Sequence, residues 1–231
     1  MIDGDVFRSN RYVSHFKPDQ EYNPFHGIYA EKRDDILTSV RAQVPAGASV
    51  LDLGGGMGRM SVPLARDYHV TLCDISTRML ELAEQRARET DSPNLTTMQL
   101  DAGSTLPFAD DTFDALLSID LLVHLADPVA ALNEMRRVLK PDGAAWIDIS
   151  SNSPWWLLRY PRYVGRRPSR WVTTWRGGGV LPEWQSIVRH YSPSEFHAML
   201  RAGRFSVGSW HRYGPPWCAK WVLAVCRPGA L

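Results

Sequence analysis

Val50-Leu51-Asp52-Leu53-Gly54-Gly55-Gly56-Met57-Gly58 reads as a strand ending in a carboxylate, a glycine turn, and the approach to a helix. Ser49 to Leu53 is short and apolar, as a strand buried on both faces should be. Gly54, Gly56 and Gly58 let the backbone turn tightly and approach a ligand with no Cβ in the way. Helical spacing resumes at Met60, Val62, Leu64 and Ala65. A glycine turn of this kind suits any nucleotide that needs close backbone approach, and it also serves as an ordinary strand-to-helix loop.

Three carboxylates narrow the choice. Asp74 ends a second strand candidate, Val70-Thr71-Leu72-Cys73-Asp74, 20 residues after Gly54. An acidic residue there is placed to accept hydrogen bonds from a ribose diol. Asp52 stands beside the glycine turn, where it would repel a pyrophosphate and attract an ammonium group. Asp101 follows a third strand candidate, Leu95 to Leu100, and can accept from an adenine amino group. Together they describe a pocket for a nucleoside with a positive, amino-acid-like tail. S-adenosylmethionine is that molecule.

With these residues the chain resembles the class I S-adenosylmethionine-dependent methyltransferases, in particular the small-molecule group. The D-x-G-x-G-x-G pattern stands as Asp52 to Gly58. The acidic residue after strand two matches Asp74, followed by Ile75, Ser76 and Met79, and the next acidic motif matches Asp101-Ala102. Leu106-Pro107-Phe108, Phe113-Asp114, Leu116 to Asp120, His124-Leu125, Arg136 to Gly143, Tyr191-Ser192-Pro193, Phe196, Gly203 and Phe205 continue the likeness. It covers roughly residues 30 to 150 and 190 to 227. The resemblance implies a Rossmann-like, doubly wound seven-stranded sheet, mostly parallel with an antiparallel C-terminal hairpin, and helices on both faces. It also implies Asp52, Gly54, Gly56, Gly58, Asp74, Ile75, Met79, Asp101, Ala102, Ser118 and Asp120 as cofactor-binding residues. S-adenosylhomocysteine would be the product.

Composition agrees. At 231 residues this is one domain, or one with an insertion, and 44% hydrophobic content is enough for a core. A net charge of +1 argues against nucleic acid as a whole-surface partner. Cys73, Cys218 and Cys226 have neither the pairing nor the spacing of a disulfide framework or a zinc site. Cys73 reads as core. The polar N-terminus and the lack of a long apolar run lead us to expect a cytoplasmic protein with no stable membrane insertion. No metal is expected. The sequence does not speak to oligomeric state.

Along the chain, strand and helix patterns alternate, which predicts a parallel sheet covered on both sides. Helices are expected at Asp35 to Val44, at Thr77 to Glu89 with Leu80, Ala83 and Ala87 inward, and from Asp127-Pro128 onward with Val129, Leu132, Met135 and Leu139 inward. Ala144 to Ile149 reads as the fifth strand. Ser192-Pro193-Ser194-Glu195 is a capping box with proline inside it, and Phe196, Met199 and Leu200 line the core side. Phe205 to Trp210 and Trp221 to Cys226 are the last strands, with Gly214-Pro215-Pro216 as their turn.

The expected organisation is an N-terminal lid (1–34), a cofactor-binding core (35–150), a Trp/Arg-rich insertion (151–190), and a C-terminal helix with two strands (191–231). The insertion holds Trp155, Trp156, Trp171, Trp175 and Trp184, and seven arginines against a single acid, Glu183. It reads either as the lid of a flat, apolar acceptor pocket or as a small packed subdomain. Its arginines are either solvated or face an anionic group. Acceptor contacts are expected from His26, Trp155, Trp156, Trp175 and Trp184. His124, just after strand four, is the first candidate for a general base, with packing against the next helix as its alternative. Tyr22 and Tyr29 are further catalytic candidates, because some members of the resembled family close an N-terminal tyrosine over the cofactor. The expected activity is methyl transfer to a small aromatic acceptor, with oxygen favoured on the family's habits. Nitrogen or carbon of an aromatic heterocycle, a lipid or carrier-bound acceptor, and a non-catalytic cofactor-binding regulator remain alternatives.

Overall fold

The computed structural model describes residues 26–151, 191–214 and 221–229, apart from the side chain of His26. In chain order the elements are α1 (His26–Gln43), β1 (Ser49–Leu53), α2 (Ser61–Leu64), β2 (His69–Asp74), α3 (Thr77–Glu89), β3 (Leu95–Gln99) and β4 (Phe113–Ser118). A 3₁₀ turn (Leu122–His124) follows, then α4 (Pro128–Val138), β5 (Leu139–Ser150), α5 (Pro193–Ala202), β6 (Phe205–Tyr213) and β7 (Trp221–Pro228).

The strands form one seven-stranded sheet in the order β3-β2-β1-β4-β5-β7-β6. β3, β2, β1, β4 and β5 run parallel, while β7 pairs antiparallel with both β5 and β6. This is the doubly wound, mostly parallel sheet with an antiparallel end that the sequence implies. Strand alternation divides the core between two faces. Ile36 and Val40 of α1 pack with Val50, Val70, Leu117 and Trp146 on one face. Leu132 and Met135 of α4, with Phe196 and Leu200 of α5, pack with Leu51, Leu53, Leu116 and Ile147 on the other. Because β1, β4 and β5 are covered on both sides, their carboxyl ends form the open edge at which a doubly wound sheet binds its ligand.

Several helix boundaries follow local chemistry. The Ser76 side chain accepts the Met79 N–H at the start of α3, and Asp127 accepts from Ala130 at the start of α4. The Ser192–Glu195 capping box of α5 is complete in both directions. Phe196 and Leu200 are buried there, and Met199 is partly so.

Other boundaries depart from the sequence pattern. α1 starts at His26 rather than Asp35 and runs through the expected boundary at residue 34. The reason is that Lys32 continues the buried stripe one turn before Ile36. α2 is only four residues long before the chain turns at Arg66-Asp67. α4 buries Ala131 and Val138, whereas Val129 is half-buried and Leu139 begins β5. β5 starts earlier than expected, but its pairing with β4 slips between Phe113↔Leu139 and Ala115↔Ala144, where Lys140 to Gly143 bulge out. Cys73 and Cys226 are buried, and Cys218, Pro215 and Pro216 lie outside the described residues.

Candidate active site

The glycine turn leaves β1 with φ values of +75° at Gly54, +56° at Gly56 and +76° at Gly58. At two positions glycine is demanded by contacts as well. A Cβ on Gly54 would stand 2.8 Å from Leu121 Cδ1, and one on Gly58 would stand 2.7 Å from Val62 Cγ2. Beside Gly56 the space is open: among the described residues no atom comes within 4 Å of where a Cβ would be. The Gly54 and Gly55 N–H groups donate to the Cys73 carbonyl, tying the turn to β2.

Carboxylates stand at the ends of successive strands. Asp52, 1% exposed, lies beneath Gly55 and accepts a hydrogen bond from the Ser61 hydroxyl at the start of α2. Burial pushes its carboxyl up to about 6; the Ser61 bond and the Arg59 charge oppose the rise, and the Asp74 charge adds to it. A cationic group bound at the turn would reverse that rise. Asp74 accepts from the Gly56 N–H through Oδ2 (2.9 Å) and from the Ser76 N–H through Oδ1 (2.9 Å). Each oxygen keeps a second lone pair for a ligand hydroxyl. Burial raises the Asp74 carboxyl as well. Asp101 accepts the Gly103 N–H at 2.9 Å, which fixes the loop after β3, and Ala102 is buried beside it. The Ile75 carbonyl accepts from Gln99 Nε2, and Met79 is buried in the first turn of α3. The Ser118 hydroxyl is buried at the end of β4 and has no hydrogen-bond partner among the described residues.

Beyond β4 the chain turns through Asp120, whose φ of +58° is rare for a residue with a side chain. An ionic cluster holds it. Lys32 Nζ, on a residue 1% exposed, donates to Asp148 Oδ2 (2.6 Å) and to Asp120 Oδ2 (3.0 Å). Trp221 Nε1 donates to Asp120 Oδ1 at 2.7 Å, and the Asp120 N–H donates to Asp148 Oδ1 at 2.6 Å. The Lys32 ammonium lies 4.9 Å from the Trp221 ring centre and 5.2 Å from that of Tyr29. Arg59, from the glycine turn, covers Tyr29 at 5.0 Å. Burial alone would raise Asp120, but the Lys32 ammonium outweighs it and holds the carboxyl below the usual range. His124 ends the 3₁₀ turn. Burial pushes its imidazole down to about 4, against the pull of the Asp120 charge, so it is neutral at pH 7.

Residues 50–143 match the family model described as a methyltransferase domain. The demethylmenaquinone methyltransferase of Tropheryma whipplei is 33% identical over 177 residues, which is 73% of this chain and 71% of that protein. The chain belongs to the class I S-adenosylmethionine-dependent methyltransferases. The O-methyltransferase rstn1 of Aspergillus nomiae is 35% identical over 107 residues, and the chain spans only 45% of that protein's length. The PH0226 protein of Pyrococcus horikoshii shares the fold, with a TM-score of 0.71 at 22% identity across 94% of this chain and 98% of that one.

The cofactor of the family is S-adenosylmethionine, and this chain has residues that fit it. The space beside Gly56 is open, Asp74 retains acceptor capacity, and Asp52 stands ready to pair with an ammonium group. The structure gathers Asp52, Gly54, Gly56, Gly58, Asp74, Ile75, Met79, Asp101, Ala102, Ser118 and Asp120 along one edge of the sheet, and sets His124 and Tyr29 beside its β4 end. Tyr22, Trp155, Trp156, Trp175 and Trp184 lie outside the described residues, as does the side chain of His26.

Lys32, Arg59, Ser61, Asp148 and Trp221 escaped the sequence reading. One signal was available. Asp148 is the only charge in Ala144 to Ile149, and a charge in a strand buried on both faces needs a partner. Among the described residues, no helix is long and apolar enough to cross a membrane.

Proposed function

We propose that this methyltransferase moves a methyl group onto a small aromatic acceptor, with a hydroxyl oxygen as the favoured atom. When bound, S-adenosylmethionine supplies a sulfonium methyl group, an electrophile already activated for in-line displacement. This chain's residues then bind, orient and exclude water. Asp52 is suited to the cofactor's ammonium group, Asp74 to its ribose and Asp101 to its adenine.

One observation carries the acceptor side: a neutral, half-buried imidazole next to the exit of β4. His124 is in the form that accepts a proton or a hydrogen bond from an acceptor hydroxyl. At about 4 its basicity is low, so positioning of the acceptor supplies more of the rate than proton abstraction does. The O-methyltransferase among the relatives supports oxygen. A second reading, methylation of a quinone-type ring at carbon, draws on the demethylmenaquinone methyltransferase that matches over most of the chain. His26, Trp155, Trp156, Trp175 and Trp184 are proposed acceptor contacts, and Tyr22 and Tyr29 further catalytic residues, on sequence grounds.

Calorimetric titration with S-adenosylmethionine and S-adenosylhomocysteine tests the cofactor half. A panel of phenols, indoles and quinols, scored by mass for the methylated product, tests the acceptor half. Methylation of phenols supports oxygen transfer, and methylation of quinols at carbon supports the second reading. Cofactor binding with no methylated product from any acceptor would point to a binding protein rather than an enzyme.

A further inference from the structure

α1 is tied to the cofactor pocket by a buried charge. Lys32 stands one helical turn before Ile36, inside the face that packs on the sheet. Its ammonium bridges two carboxylates that come from different strands, Asp120 after β4 and Asp148 within β5. Asp148 grips the Asp120 N–H, Trp221 grips the Asp120 side chain, and the backbone there is left-handed. A left-handed residue with a Cβ persists only where its surroundings over-determine it. The next residue, Leu121, packs against Gly54 so tightly that a Cβ on Gly54 would lie 2.8 Å from it. The contacts therefore run from Lys32 through Asp120 and Leu121 to the glycine turn. A second line runs from Tyr29 to Arg59 at the far end of that turn.

We propose that Lys32 is a positioning residue of this methyltransferase: by bridging Asp120 and Asp148 it sets the β4 exit against the glycine turn, and so sets cofactor affinity. The proposal rests on the cofactor being held at that turn. Without the ammonium, the fully buried Asp148 carboxylate faces the partly buried one of Asp120. Such a pair cannot stay doubly ionised cheaply and takes up a proton near neutrality. The other charged or titratable groups acting there are Arg59 from the glycine turn, His124 from the 3₁₀ turn and Tyr213 from β6, besides Tyr29 of α1. A proton shared by Asp120 and Asp148 then partly replaces the missing bridge. Loss of Lys32 should therefore hurt most at high pH.

The experiment is calorimetric titration of wild type and Lys32→Met with S-adenosylhomocysteine from pH 6 to pH 8.5, with far-UV circular dichroism to confirm folding. Val40→Ala, a core truncation on the same helix, controls for lost stability. We expect the variant to bind about tenfold more weakly than wild type at pH 8.5, with the gap narrowing to about threefold at pH 6, as for a proton-coupled site. Val40→Ala should bind within about twofold at every pH, as expected of a site not in contact with the cluster. If Lys32→Met does not fold, Trp221→Phe takes its place. That variant removes one hydrogen bond from the Asp120 carboxylate and should weaken binding about threefold or more. A folded variant that matches wild type at every pH overturns the proposal. So does a weakening that is independent of pH and shared by Val40→Ala. Wild type that does not bind S-adenosylhomocysteine overturns the cofactor assignment itself, and this proposal with it.

Discussion

Replacing Asp52 by asparagine should stabilise the ligand-free protein while weakening cofactor binding. Asp52 is 1% exposed, and its carboxyl is pushed from the ordinary 3.8 up to about 6. A folded value above the unfolded one means that ionisation opposes folding. Below about pH 4 the group is protonated in both states and costs nothing. The cost grows between about pH 4 and 6 and is complete above that. A rise of about two units corresponds to about 3 kcal/mol at neutral pH, at 1.36 kcal/mol per unit. Asparagine is neutral at every pH and can still accept the Ser61 hydrogen bond, but its amide N–H₂ gains no partner there, a loss of about 1–2 kcal/mol. The net gain expected at pH 8 is about 1–2 kcal/mol. Urea unfolding at pH 5 and pH 8 measures it, and comparing the two removes the constant cost of the amide. Relative to the variant, wild type should lose about 1–2 kcal/mol on going from pH 5 to pH 8. S-adenosylmethionine affinity of the variant should fall at pH 8, because the ammonium loses its counter-charge. An Asp52→Asn protein whose stability tracks wild type in parallel across this range would refute the account of Asp52 as a carboxylate held ionised for its ligand.

Three further outcomes are expected. Asp74→Ala should weaken S-adenosylhomocysteine binding by about 1–3 kcal/mol, from loss of charge-assisted hydrogen bonds, and unchanged affinity by calorimetry would remove Asp74 from the pocket. His124→Ala should lower kcat about a hundredfold with cofactor affinity nearly unchanged. Because the imidazole is already neutral above about pH 4, wild-type turnover between pH 6 and 8 should show no limb assignable to His124, and such a limb lost in the variant would contradict its depressed basicity. Gly58→Ala should destabilise by about 1–3 kcal/mol in urea unfolding, since its φ is +76° and the new Cβ meets Val62 at 2.7 Å and Ala83 at 3.1 Å; wild-type stability would mean the turn relaxes freely.

The cofactor half of this protein was legible in the sequence because its determinants are local. A strand, a glycine turn and a carboxylate at each strand end are set by residues within a few positions of one another, as Asp52 to Gly58 and Asp74 to Ser76 show. The capping box of α5 and the alternating apolar runs are local in the same sense, so the strands and most of the helices could be placed, while the arrangement of the sheet came from the family resemblance. Where boundaries moved, a tertiary contact overrode a local pattern: Lys32 extended the buried stripe of α1, and the sheet drew Leu139 into β5.

The β4 exit was decided only in three dimensions. Lys32 is 88 residues from Asp120 and 116 from Asp148, and Trp221 is 101 from Asp120. Nothing in a helix reading Glu31-Lys32-Arg33-Asp34-Asp35 marks one of five charges as buried. Likewise, the near-neutral value expected for His124 from its residue type gave way to about 4 once the fold stripped part of its hydration. Residue type and spacing determine which groups can meet a ligand; burial, which depends on every element packed around a group, determines the charge it carries when it does.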